Sequence, residues 1–74
     1  MKVNKVQAII YMFSLLQKSK KITKDVVCQK ILISDVSFRR YIQEIRAFLI
    51  NFNEPYELIY LKKDDAYLLK KISI

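Results

Sequence analysis

A small α+β fold, three helices followed by a two-stranded β-hairpin, is what the sequence predicts, and three observations carry that expectation. Up to about residue 52, apolar residues recur at three- and four-residue steps, the mark of helices that each bury one face. After Pro55 the pattern changes to two runs rich in aromatic and branched residues, which favour strands. A length of 74 residues holds one hydrophobic core and no second domain, so residues 1–74 are read as a single domain.

The first helix is expected from Asn4 to about Lys18, with Val6, Ile9, Phe13 and Leu16 on its buried face. The polar run Lys18-Ser19-Lys20-Lys21 breaks the period. Thr23 is then placed to cap a short second helix, roughly Lys24 to Lys30, with Val26, Val27 and Ile31 available for burial. Ser34 can cap a third helix, about residues 35–50, and Asp35 sits at the positive end of its dipole. Along that helix Phe38, Ile42, Ile45 and Leu49 share one face, with Tyr41, Phe48 and Phe52 alongside, while Val36, Arg40, Gln43 and Ala47 point the opposite way. It should end near Asn51 or Asn53, because Asn tolerates the left-handed conformation that closes helices and Pro55 cannot continue one. The hairpin, residues 56–72, is expected as strands Tyr56–Leu61 and Ala66–Ile72 joined by Lys62-Lys63-Asp64-Asp65. Glycine is absent and Pro55 is the only proline, so the turns must be made by polar residues.

Fourteen Lys and Arg against seven Asp and Glu give a formal charge of +7, a strong positive field that makes polyanions the natural partners. Residues 1–33 hold seven of the lysines and only one acid, Asp25, so the field is strongest over the first two helices. One cysteine and no histidine exclude an intramolecular disulfide, a Cys/His zinc site and a Cys–His nucleophile, and they fit a reducing, cytoplasmic setting. Cys28 is read as a buried or half-buried thiol rather than a redox sensor. The five tyrosines are read as core packing rather than stacking platforms for single strands. Asp64, Asp65 and Glu54 lack convergent partners for metal or acid–base chemistry, so neither an enzyme nor any cofactor or small-molecule ligand is expected. The longest apolar stretches fall well short of the roughly 20 residues of a membrane span, and no signal-peptide pattern is present.

Three helices and a closing basic hairpin are the order a winged helix-turn-helix requires, in which the third helix enters a major groove and the hairpin forms the wing. The stretch Ile33-Ser34-Asp35-Val36-Ser37-Phe38-Arg39-Arg40-Tyr41-Ile42-Gln43-Glu44-Ile45-Arg46 resembles the recognition helix of DeoR-like and Mga/BglG-like bacterial regulators. In their pattern, Val-Ser-x-x-Thr-Ile/Val-x-Arg-x-Ile-x-x-Leu, Ile33 stands for the Val and Ser34 for the capping Ser. Ser37 stands for the Thr, Phe38 for the branched residue, Arg40 for the Arg, Ile42 for the Ile and Ile45 for the Leu. Similarity in element order runs from Thr23 to Leu69. Tyr41 replaces the Asp frequent in DeoR-like chains, which favours the Mga-like side. Leu32 replaces the usual Gly or Asn, which implies a different turn between helices 2 and 3, and the usual wing glycine is missing.

The resemblance implies sequence-specific binding of double-stranded DNA in transcription regulation. Arg39 and Arg40 can bond bidentately to a guanine edge or a phosphate; the alternative is a solvated face in which Arg40 pairs with Glu44. Ser37 and Gln43 can add hydrogen bonds, Ser34 lies at the helix start, and Val36 suits a thymine methyl. Lys62 and Lys63 at the hairpin tip are candidate phosphate contacts, although Asp64 and Asp65 beside them would repel DNA. Lys18, Lys20, Lys21 and Lys24 surround the start of helix 2, with Lys24 the one expected to touch phosphate. A homodimer through the first helix, or through Ile50 and Ile74, would let the domain span paired half-sites unless it belongs to a longer regulator. The competing readings are a winged-helix protein-interaction module and a replication or recombination accessory protein.

Overall fold

The computed structural model describes residues 3–18 and 21–72. Along the chain run α1 (Lys5–Gln17), β1 (Ile22–Thr23), α2 (Lys24–Ile31), α3 (Asp35–Asn51), β2 (Tyr56–Leu61) and β3 (Ala66–Lys71). The three helices pack with an antiparallel sheet of order β1-β3-β2, so the molecule is α+β. Ser19, Lys20 and Ile74, which carry sequence expectations, lie outside the described residues.

Each helix starts at a side-chain cap. Asn4 Oδ1 accepts from the Gln7 amide at 2.8 Å, and the Gln7 side chain accepts from the Asn4 amide at 3.5 Å, a reciprocal pair that satisfies two otherwise orphaned donors. Thr23 Oγ1 accepts from the Val26 amide at 3.2 Å, and Ser34 Oγ from the Ser37 amide at 3.1 Å, as the sequence led one to expect. The α3 exit also follows expectation: Asn53 is left-handed at φ 52°, and the Glu54 amide donates to the Leu49 carbonyl at 2.9 Å.

The core joins Ala8, Met12 and Leu16 of α1, Ile22 of β1, Val27 and Ile31 of α2, and Phe38, Ile42, Ile45 and Leu49 of α3 to Leu58 of β2. Phe38 lies beneath Tyr67 of β3, ring centroids 5.8 Å apart, so one aromatic of α3 seats the hairpin as well as the helices.

Four expectations need correction. The sheet has three strands rather than two: Ile22 and Thr23 pair with Tyr67 and Ala66 and cover the edge of β3 that a lone hairpin would leave open. On α1 the buried line is Ala8, Met12 and Leu16, while Val6 is 65% exposed; that helix is apolar nearly all round, so its period does not fix which side turns inward. Val26 of α2 faces solvent, leaving Val27 and Ile31 as its inward pair. Phe48 and Phe52, assigned beside the α3 stripe, are 38% and 68% exposed; Phe48 meets Phe13 of α1 edge-on, and Phe52 lies one turn beyond it.

Both turns that lack glycine still use left-handed residues. Asp65 closes the hairpin at φ 48°, a conformation that Asp tolerates comparatively well. Leu32 ends α2 at φ 53°, so the turn keeps the hand that Gly or Asn would give it, at a steric cost of roughly 1–2 kcal/mol.

Leu32 is 66% exposed and gives up little packing on truncation. Leu32→Gly should therefore raise stability by about 0.5–1 kcal/mol, the relieved strain exceeding the entropy that glycine adds to the unfolded chain. In the same urea series Phe38→Ala should lower it by roughly 3–5 kcal/mol. A destabilised glycine variant would show that Leu32 is held by contacts rather than strained.

Candidate nucleic-acid interface

Burial of the Phe38–Leu49 stripe rotates α3 so that Val36, Arg40, Gln43 and Ala47 form an exposed line on its far side. Arg39 is exposed beside that line. Among the described residues neither Arg39 nor Arg40 lies within ion-pair distance of a carboxylate. The expected alternative, pairing of Arg40 with Glu44, does not form: Glu44 Oε2 meets Lys5 Nζ of α1 at 2.8 Å, which holds the Lys5 ammonium above its ordinary value. Both side chains are exposed, and neither guanidinium is in an ion pair among the described residues.

The start of α3 is more constrained. Ser34 Oγ, already the cap, donates to Ser37 Oγ at 3.2 Å, so the two hydroxyls engage each other and Ser37 is half-buried. Lys24 Nζ reaches Asp35 Oδ2 at 3.3 Å across the α2–α3 turn. That contact cancels the one acid in the first turn of α3, and it also occupies the lysine assigned to phosphate.

At the hairpin tip Lys62 and Lys63 are exposed, and the two acids beside them are engaged within the chain. Asp64 Oδ2 receives Lys21 Nζ at 2.8 Å, and Asp65 Oδ1 accepts the Tyr60 hydroxyl at 2.6 Å. The repulsion expected from this acidic pair is reduced where Lys21 compensates Asp64. Tyr60 departs from its assignment to the core: it is an exposed ring packed at a tilt against Tyr67, centroids 5.0 Å apart, with its hydroxyl donating to Asp65. Lys24, Arg39, Tyr60, Asp65 and Tyr67 line a hollow of about 250 Å³ above Phe38, which joins the N-terminal half of α3 to the hairpin.

Two features escaped the sequence. The Lys21–Asp64 bridge spans 43 residues and has no local signature. Arg46 is half-buried between the α3 stripe and its outer face, with a buried Nε that finds no acceptor among the described residues. Its position between the two faces on the helical wheel is the only local hint.

Cys28 is half-buried, its Sγ 3.9 Å from the Ser34 carbonyl, and burial followed by the charge of Asp35 pushes the thiol up, away from a reactive thiolate. Among the described residues no group of three His, Cys, Asp or Glu side chains is arranged to hold a metal, and no helix is long and apolar enough to cross a membrane. No family model matches the chain, and neither a curated protein nor a solved structure matches it.

The Tyr60 hydroxyl is held above the ordinary tyrosine value, first by its hydrogen bond to Asp65, then by lost hydration and by the charge of Asp65. The folded chain thus keeps this proton at a pH where the unfolded chain has lost it. The stabilisation is complete below the ordinary tyrosine value and disappears as pH rises through the folded one. In an NMR titration Asp65→Ala should bring Tyr60 down toward its ordinary range; a Tyr60 midpoint that stayed in place would break the assignment.

Proposed function

We propose that this chain is a winged helix-turn-helix domain that binds double-stranded DNA, acting without catalysis in transcription regulation, with α3 in the major groove and the β2–β3 hairpin as its wing. One observation carries the reading: in a chain of +7, the outer face of the first turns of α3 presents Arg39, Arg40, Gln43 and Val36 exposed, with neither arginine in an ion pair among the described residues. A major groove is wide enough for one helix, and bidentate arginine contacts to guanine are the commonest specific ones. Lys62 and Lys63 stand on the hairpin that Phe38, Tyr67 and β1 hold beside α3, where they can reach the flanking phosphates. Ser34 and Ser37 contribute mainly by fixing the start of α3, and Lys24 contributes to the field once its pairing with Asp35 is counted.

The protein-interaction reading has an observation of its own, the exposed apolar side chains Val6, Ile10, Phe48 and Phe52. They lie off the arginine face, so the two readings concern different surfaces. A replication or recombination accessory role would use the same DNA contacts and the same test.

The domain should bind mixed-sequence duplex at low salt and release it steeply as salt rises, since each neutralised phosphate frees a counterion. Against a duplex selected from a random pool, Arg40→Ala should cost roughly 1–3 kcal/mol with circular dichroism unchanged. Unchanged affinity of that variant for the selected site would remove Arg40 from the interface, and salt-insensitive retention would remove the electrostatic basis of the reading.

A further inference from the structure

An exposed apolar stripe lies along α1 and the C-terminal half of α3. Val6 and Ile10, one helical turn apart on α1, are 65% and 63% exposed, and the exposed rings of Phe48 and Phe52 pack at a tilt on α3, centroids 5.1 Å apart. Phe13 bridges the helices by meeting Phe48 edge-on at 5.7 Å. Between them runs a groove of about 300 Å³ lined chiefly by Ile9, Ile10, Phe13, Ile45 and Phe48. We infer that this stripe is the self-association surface of the protein and that its occupant is the same stripe of a second copy.

Three arguments select a second copy. The first is area. The exposed parts of the two phenylalanines amount to about one whole ring, and with Val6 and Ile10 they offer on the order of 400 Å² of apolar surface. The apolar share of a standard interface, about 800 Å² per partner, is of the same size.

The second argument is charge. In a chain of +7, a face that meets its own copy must be locally near neutral. Here the ions at the α1–α3 border are Lys5 and Glu44, which compensate each other at 2.8 Å, whereas the free arginines lie elsewhere on α3. Under a two-fold axis Lys5 of each copy can also face Glu44 of the other.

The third is shape. A two-fold contact needs a protrusion and a recess on the same surface, and Phe52 stands exposed one helical turn along α3 from Phe48, which lines the groove. The surface is separate from the proposed DNA face, since Phe48 lies about 120° around α3 from Val36 and more than three turns along it. The inference does not rest on the DNA reading.

Sedimentation of the 74-residue chain without DNA tests it. The mass should rise with concentration from 8.9 kDa toward twice that value. Ile10→Glu and Phe52→Glu should each weaken the dimer at least ten-fold while circular dichroism keeps the wild-type fold. Val26→Glu, which places the same charge on another exposed valine, should leave the dimer as it was. A glutamate lowers the net positive charge, so lost association cannot come from a larger overall repulsion between the chains and reports the surface itself. A monomer at every concentration overturns the inference. So does a dimer indifferent to Ile10→Glu and Phe52→Glu, which would place the contact elsewhere, or one broken equally by Val26→Glu. Duplex binding by a monomer would leave the DNA reading standing while this one fell.

Discussion

Burial of Phe38, Ile42, Ile45 and Leu49 along one line of α3 is the constraint from which the other features follow. A helix has one rotational freedom about its axis, and a core this small supplies one way to satisfy it. With that line against α1, α2 and β2, Val36, Arg40 and Gln43 are turned outward and exposed. The Ser34 cap fixes where the helix begins and hence which residues stand in its first turns. Because Phe38 also underlies Tyr67, the rotation of α3 and the seat of the hairpin are decided by the same side chain.

The charges are arranged on this frame in a consistent way. Glu44, Asp35 and Asp64 each have a lysine partner, and Asp65 has the Tyr60 hydroxyl. These exposed contacts contribute little to stability, typically below about 1 kcal/mol each. Their consequence is spatial. Acids that would weaken the field near α3 and the hairpin tip are compensated or engaged, leaving Arg39, Arg40, Lys62 and Lys63 to dominate within the roughly 8–10 Å over which charge acts in salt.

The legible parts of the sequence were those where one signal had one structural meaning. The α3 stripe, the caps Thr23 and Ser34, the left-handed Asn53 and the change of period after Pro55 each specify a local conformation. The inward side of α1 was not legible, since a helix with Ile9, Ile10, Met12, Phe13, Leu15 and Leu16 in near succession is selected by its neighbours rather than by its own pattern. Strand β1 was hidden because it has two residues, one of which doubles as the α2 cap. At the site, the outward line on α3 could be read from the same period as the core. The engagement of Asp64 and Asp65 could not: the first depends on a lysine 43 residues away, and the second on which face of β2 carries Tyr60.

On the proposed reading the domain has two working faces set by one helix: the N-terminal half of α3 with the hairpin for duplex DNA, and the C-terminal half with α1 for a second copy. The measurement that bears most directly on the first is an amide NMR map taken while short duplex DNA is added to the folded chain. The account predicts that shifts concentrate at residues 35–43 and 62–65 and leave Val6 and Ile10 unmoved. Shifts centred on the α1 stripe with α3 residues 36–43 silent would contradict it.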